Sequence, residues 1–105
     1  MVEKPWGREL WLVVEGEYAG KILEVRKGCR ISLQYHERKK ESMYVLEGRL
    51  KLVVDGREEL LGVGDCVTIE PEEVHRLEAL VDSRVVEVST PQVEDVVRLE
   101  DDYGR

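Results

Sequence analysis

The sequence predicts an all-β protein, built as a sandwich or barrel of short antiparallel strands. Its apolar residues fall in short segments, many of them rich in Val, Ile and Leu, and glycine-containing breaks separate the segments. Long stretches with the 3.6-residue period of a helix do not occur. This combination of segment length and spacing is typical of sandwiches and barrels.

Nine segments are predicted to form strands. In chain order they cover residues 9–14, 21–26, 30–35, 42–46, 49–54, 57–61, 66–69, 74–79 and 84–89. Asp55-Gly56 stands between two of them and is a strong signal for a two-residue hairpin, so the strands are expected to run antiparallel. After Pro91 the chain becomes acidic, and residues 93–99 are predicted to form either a short helix or an edge strand.

Length and composition limit the class of protein. The chain has 105 residues, which suits one hydrophobic core, so a single domain over residues 1–105 is expected. It has no apolar stretch of about 18 residues and no secretory signal, and we therefore predict a cytoplasmic protein with no membrane partner. Cys29 and Cys66 are predicted to be buried free thiols. A net charge of −7 without a clustered basic face argues against nucleic acid as a partner.

The polar composition points to a hot environment. The sequence has no Asn and two Gln, and 37% of its residues are charged. Depletion of thermolabile amides together with many charged residues is typical of proteins from thermophiles. We therefore predict a thermophilic source.

The two histidines are the first candidates for a functional site. His36 and His75 are each predicted to lie on a strand that faces a shared interior. A lone strand histidine is more often bonded to the backbone than to a metal, so neither residue alone indicates a site. Their wider spacing is more informative. It runs Gly28, Gln34, His36, Glu41 and Gly48, followed after a hairpin by Gly64 and, eleven residues later, His75.

This spacing resembles the two motifs of the cupin family. In those motifs a His-x-His pair, a Glu on the next strand and a later His converge on one metal. The resemblance implies a cupin double-stranded β-helix, or jelly-roll barrel, that holds a divalent metal through Gln34, His36, Glu41 and His75, with Gln34 replacing the first histidine. Imidazole and carboxylate suit Zn, Mn, Fe or Ni, and an amide oxygen can serve as a weak fourth ligand. Such a set leaves room for a substrate.

Four further segments make the resemblance more specific. They are Lys-Pro-Trp-Gly at residues 4–7, Ser-Leu-Gln-Tyr-His at 32–36, His-Arg-Leu-Glu at 75–78 and the ending at 95–105. They are similar to the cupin domain of type II mannose-6-phosphate isomerases. In many members of that family the domain follows a mannose-1-phosphate guanylyltransferase domain. No segment of this chain resembles that second domain, so nucleotide transfer is not expected. The ligand set also resembles that of type I mannose-6-phosphate isomerases, which bind zinc, and zinc is therefore favoured.

Two of the chain's departures from the family pattern bear on the predicted site. The second cupin motif has Pro-x-Gly before its histidine, where this chain has Glu70 and Glu72 on either side of Pro71. Many relatives have Trp soon after the ligand Glu, where this chain has residues Ser-Met-Tyr at 42–44. The first departure bears on the loop before His75, and the second on contacts with a substrate.

Alternation along residues 30–36 predicts both a ligand contact and an interface. Arg30 is expected to face inward with Gln34 and His36, where it would either bind a sugar phosphate or form a structural ion pair. The opposite face carries three apolar residues, Ile31, Leu33 and Tyr35. A surface of this kind usually marks an interface, so a homodimer is predicted.

The remaining cations are interpreted from their position in the chain. Arg98, Tyr103 and Arg105 fall in the tail that resembles the isomerase family, which implies that the tail covers the barrel mouth and that Arg98 contributes to substrate binding. Lys39 and Lys40 could reach the same mouth, but a solvated hairpin tip is the preferred interpretation.

The leading functional hypothesis is a metal-dependent aldose–ketose isomerase that interconverts mannose 6-phosphate and fructose 6-phosphate. A metal would polarise the sugar carbonyl and stabilise the enediol. The base is left open among Glu, Lys, Tyr and metal-bound hydroxide. One alternative is a non-catalytic or differently catalytic metal-binding cupin that binds a small sugar or acid, because one fold hosts many functions. Another is an iron- or manganese-dependent oxygenase. Gln34 counts against this alternative, because it replaces the usual histidine ligand.

Overall fold

Alternation of inward and outward side chains organises the chain into eleven strands in a computed structural model that describes residues 1–104. The strands are β1 (Val2–Lys4), β2 (Gly7–Val14), β3 (Ala19–Val25), β4 (Leu33–Tyr35), β5 (Glu41–Glu47), β6 (Arg49–Val54), β7 (Arg57–Gly62), β8 (Cys66–Ile69), β9 (His75–Ala79), β10 (Ser83–Ser89) and β11 (Val97–Glu100).

Two sheets face each other across one core. The six-stranded sheet has the order β1-β2-β3-β10-β5-β8, and the five-stranded sheet has the order β11-β4-β9-β6-β7. All the strand pairs are antiparallel. Inward residues of both sheets fill the space between them, among them Val45, Leu50, Leu52, Ile69 and Leu77. The predicted all-β jelly-roll fold is confirmed.

The turn between β6 and β7 agrees with its sequence signal. Asp55 and Gly56 have φ values of 46° and 82°, which are the left-handed conformations that a type I′ hairpin requires at its two central residues. The turn brings Val54 opposite Arg57 and Arg49 opposite Gly62. The hairpin prediction is therefore confirmed, and it sets the register of these two strands.

The chain before β4 differs from the prediction. The strand begins at Leu33 rather than at residue 30, and Arg30 forms an isolated bridge with Glu78. Ile31 is buried in the core and lines the same cavity as Gln34. Strict alternation would put Ile31 and Gln34 on opposite faces, so the predicted outward position of Ile31 is wrong.

The ends of the chain and the cysteines bring further differences. β1 was not predicted, whereas the edge strand β11 (Val97–Glu100) is one of the two alternatives predicted for residues 93–99. Both cysteines are free, but Cys66 is exposed and Cys29 half-buried, which corrects the expectation of two buried thiols. Within residues 1–104, no helix has the length and hydrophobicity needed to cross a membrane.

Candidate metal centre

Three ionisable side chains from different strands meet inside the barrel. His36 directly follows β4, Glu41 begins β5 and His75 begins β9, so the residues come from both sheets. Glu41 Oε1 lies 3.1 Å from His75 Nε2 and 3.6 Å from His36 Nε2. One candidate ligand atom from each residue lies within 4.8 Å of the others, and all three side chains are buried. The structure therefore brings together three of the four predicted ligands.

The outer nitrogens of the two imidazoles define their tautomers. His36 Nδ1 lies 2.5 Å from the backbone oxygen of Asp95, and His75 Nδ1 lies 2.9 Å from that of Glu73. A carbonyl oxygen only accepts hydrogen bonds, so each Nδ1 is the donor and each neutral ring presents an Nε2 lone pair. Both Nε2 atoms are buried without a hydrogen-bond partner. Two lone pairs that face a carboxylate oxygen fit a divalent cation placed among them.

Electrostatics at the cluster agree with this fit. Burial raises the pKa of Glu41, but the close approach of His36 and His75 and the nearby charge of Lys39 outweigh it and hold the pKa well below its usual range. Burial lowers the pKa of His75, and the nearby carboxylate of Glu41 more than offsets it and raises the pKa overall. Glu41 is thus a buried anion that attracts positive charge, which a divalent cation would supply.

Gln34 lies beside this cluster. It is paired in register with His75, and its side chain lines the cavity. Gln34 Oε1 accepts a hydrogen bond of 2.6 Å from Ser32 Oγ. An amide oxygen has two lone pairs, so Gln34 can keep this bond and still offer an oxygen to a metal. Its role as a fourth ligand remains a proposal.

The cluster opens into a cavity of about 350 Å³. Arg98 lies on the cavity wall, because β11 pairs antiparallel with β4 and places Arg98 opposite Gln34. Directly paired residues of antiparallel strands project to the same side of a sheet. The tail therefore places a cation on the cavity wall, and a role of Arg98 in substrate binding stays a prediction. Arg105 lies outside the described residues.

Arg30 is placed elsewhere, and its expected inward position is wrong. Its guanidinium donates two hydrogen bonds to Asp102, of 2.6 and 2.9 Å, and it does not line the cavity. The irregular backbone before β4 turns Arg30 outward. Of the two roles predicted for Arg30, the structure favours the ion pair. Tyr103 stabilises the same region, since its hydroxyl donates to the backbone oxygen of Arg30 at 2.9 Å.

Lys39 is the site residue that the sequence interpretation missed. Its side chain is buried rather than at a solvated tip, whereas Lys40 is exposed and pairs with Glu70 at the surface. Lys39 Nζ lies 3.1 Å from Glu41 Oε2 and 3.0 Å from Glu87 Oε2. Lys39 lies in the loop before β5, where strand alternation gives no signal of burial.

Asp95 anchors the loop that joins His36 to β5. Its carboxylate accepts hydrogen bonds from the backbone N–H groups of Glu37, Arg38 and Lys39, at 3.1, 2.7 and 3.0 Å. These bonds lower the pKa of Asp95. Its backbone oxygen accepts from His36, so one tail residue orients the imidazole and fixes the loop that carries Lys39.

The loop before His75 retains an unusual backbone conformation. Glu72, which replaces the glycine of the family motif, has a φ of 70°. Its N–H donates to the backbone oxygen of His36 at 2.6 Å, which ties this loop to the other histidine. The left-handed conformation is unfavourable for a residue with a Cβ atom. Glu at this position therefore strains the loop.

We expect Glu72→Gly to stabilise the protein by about 1 kcal/mol, because glycine adopts this conformation without the steric cost. Urea denaturation followed by tryptophan fluorescence measures the change. Glu72→Ala is the matched control, since it removes the carboxylate but keeps the Cβ atom. Equal stability of the glycine and alanine variants would show that φ is not the cause.

Comparison with known proteins agrees with this geometry. A family profile described as the cupin domain matches residues 21–90, which is two thirds of the chain. The chain belongs to the cupin family. Among curated proteins, this cupin is 31% identical over 109 residues to the alginate biosynthesis protein AlgA of Pseudomonas aeruginosa. It is 32% identical over the same length to mannose-1-phosphate guanylyltransferase of Escherichia coli.

The alignment covers nearly all of this chain but only part of each relative. It covers 99% of this cupin but 23% of each relative, so the chain spans about a quarter of their length. The second relative is a guanylyltransferase by name, as expected from the resemblance to a cupin domain that accompanies such an enzyme. The predicted resemblance to the cupin domain of these enzymes is confirmed.

Solved structures support the fold across the whole barrel. A protein from Klebsiella pneumoniae described as having a double-stranded β-helix domain superposes with a TM-score of 0.79 at 17% identity, covering 95% of this chain and 91% of that one. Salicylate 1,2-dioxygenase from Pseudoaminobacter salicylatoxidans gives a TM-score of 0.84 at 16% identity, covering 93% and 32%. At these identities the likeness shows the fold alone.

Proposed function

We propose that this cupin is a metal-dependent sugar-phosphate isomerase of the mannose 6-phosphate to fructose 6-phosphate type. The observation that carries the proposal is the pair of unpartnered Nε2 atoms of His36 and His75 beside Glu41, in a cavity that also carries Arg98. The similarity to a mannose-1-phosphate guanylyltransferase supports a ligand of the same chemical class, a phosphorylated hexose.

Each cavity residue has a role in this proposal. His36, Glu41 and His75 would hold the divalent ion with Gln34 as a weaker fourth ligand, and zinc is favoured among Zn, Mn, Fe and Ni. When bound, the ion would polarise the substrate carbonyl. Arg98 would bind the phosphate group through charge-assisted hydrogen bonds. The proton acceptor is to be sought among the other carboxylates of the cavity wall, which are Glu9, Glu87 and Glu94.

A coupled assay tests the activity directly. Protein stripped with a chelator is reloaded with zinc, and formation of fructose 6-phosphate from mannose 6-phosphate is followed. We expect activity that requires the metal and disappears in a His36→Ala preparation purified in the same way, which controls for isomerases of the expression host. Binding of mannose 6-phosphate without turnover would contradict the isomerase and favour the non-catalytic cupin.

A homodimer remains a proposal, but the structure favours a different surface for the interface. Ile31 is interior and cannot contribute to an outer surface, which leaves Leu33 and Tyr35 half-buried. The outer face of the six-stranded sheet has a row of cross-strand apolar partners. In register these are Leu10, Ile22, Val86 and Tyr44. We propose that a second copy covers this row.

A cytoplasmic location and a thermophilic source also stay predictions.

We expect light scattering at micromolar concentration to give a dimer that Val86→Lys converts to a monomer, because the row would then carry an unpaired charge into the interface. Leu33→Lys is the matched control on the outer face of the other sheet and should remain dimeric. A monomeric wild-type protein would refute the dimer, and a monomer produced by the control alone would move the interface to the five-stranded sheet.

A further inference from the structure

A buried lysine separates two carboxylates beside the proposed metal site. Lys39, Glu41 and Glu87 expose 3%, 3% and 5% of their surface. The Lys39 ammonium donates a hydrogen bond of 3.0 Å to Glu87 Oε2 and lies 3.1 Å from Glu41 Oε2. Burying a charge is costly unless it is paired, and a neutral residue at this position would avoid that cost.

The two oxygens of Glu41 therefore have different neighbours. Oε1 lies between the imidazoles, at 3.1 and 3.6 Å from their Nε2 atoms. Oε2 lies 3.1 Å from Lys39 Nζ. A carboxylate can bind a metal through one oxygen or through both. With its second oxygen in an ion pair with Lys39 Nζ at 3.1 Å, Glu41 can offer its first oxygen to a metal without breaking that pair.

Further ion pairs fix the position of Lys39. On its other side Glu87 also faces Lys21, whose Nζ lies 3.6 Å from Glu87 Oε2 and 3.0 Å from Glu9 Oε2. Carboxylates and ammonium groups thus alternate from Glu41 to Glu9, and each lysine lies between two carboxylates. This alternation leaves Lys39 little freedom to leave Glu41, because any movement would unpair a buried charge.

We infer that Lys39 is a positioning residue, which restricts Glu41 to single-oxygen coordination and so keeps a metal position open for an exogenous ligand. The inference rests on the proposed metal site and is independent of the proposed isomerase activity. It predicts that loss of the ammonium allows Glu41 to turn its second oxygen to the metal and occupy the open position.

Cobalt-substituted protein provides the test. The visible absorption of bound Co²⁺ weakens as its coordination number rises, and azide serves as the exogenous anion. In Lys39→Met we expect a weaker visible band and azide affinity lower by at least about tenfold, the scale found when outer-shell partners of metal sites are removed. Lys21→Met is the matched control, since it removes a cation from the same ion-pair chain without touching Glu41.

A structural or purely electrostatic role would give a different pattern. The inference is overturned if Lys39→Met keeps the wild-type spectrum and azide affinity, or if Lys21→Met shows the same changes. Should Lys39→Met fail to fold, Lys39→Met/Glu87→Gln removes both charges of the pair and is expected to show the same spectral change. A wild-type protein that binds no Co²⁺ would overturn the metal site, and the role of Lys39 with it. Neither readout uses a sugar, so absent isomerase activity is a separate result.

Discussion

Replacing either His36 or His75 with alanine is expected to weaken zinc binding by more than about 100-fold, because loss of an outer-shell partner alone costs about 10- to 100-fold. Each histidine has an unpartnered Nε2 in the cluster, and together they would supply the nitrogen ligands of the proposed site. Competition with a chromophoric chelator measures the affinity. The same substitutions should remove the thermal stabilisation that added zinc gives to the wild-type protein, since a ligand stabilises the folded state that binds it.

The control for this experiment is a carboxylate on the same wall. Glu94 lines the cavity but does not belong to the three-residue cluster, so Glu94→Gln should leave zinc affinity close to that of the wild type. Melting curves in the presence of chelator establish that the histidine variants fold. Folded variants that retain wild-type zinc affinity would refute these ligands.

Arg98→Ala is expected to weaken binding of mannose 6-phosphate by at least about tenfold, since a charge-assisted hydrogen bond contributes roughly 1.5–3 kcal/mol. Arg98 is exposed on the cavity wall opposite Gln34, where its guanidinium is accessible to a ligand. Calorimetry on zinc-loaded protein measures the affinity, and the loss should be much smaller for unphosphorylated mannose. Arg30→Ala is the matched control, because Arg30 pairs with Asp102 away from the cavity.

The substitution Arg98→Ala tests the role of the tail more specifically than deletion of the residues after Leu99 would. Tyr103 packs against the core and binds the backbone of Arg30, so removing the residues after Leu99 would also remove structural contacts. Equal losses for mannose and mannose 6-phosphate with Arg98→Ala, or no loss for either, would argue against a phosphate-binding role for Arg98. An equal loss with Arg30→Ala would argue that the effect is not local to the cavity.

The parts of the fold that local chemistry determines could be predicted from the sequence. Asp55-Gly56 sets a hairpin through its own backbone preference, whereas the ligand set was implied by the resemblance to the cupin motifs. The position of Arg30 could not be predicted in the same way. Hydrogen bonds from Ile31 to Leu77 and from Tyr103 to Arg30 hold the backbone before β4 off the regular strand path. These partners lie far away in the chain, and alternation assumes a regular strand.

The burial of Lys39 was hidden for a related reason. Basic residues in a polar stretch are usually solvated, and the sequence around Lys39 and Lys40 is highly charged. Lys39 becomes buried because Glu41 and Glu87, one from β5 and one from β10, both lie within ion-pair distance. Pairing between adjacent β5 and β10 depends on the complete sheet, so local composition alone could not reveal it.

The most direct test of the account is the metal content of the protein itself. The protein is purified without chelators, dialysed against metal-free buffer and measured by inductively coupled plasma mass spectrometry beside a His36→Ala/His75→Ala double variant. We predict about one divalent ion per chain in the wild type, zinc foremost, and almost none in the variant. A wild-type protein that remains free of metal after incubation with excess zinc, manganese, iron or nickel would contradict the proposed metal centre.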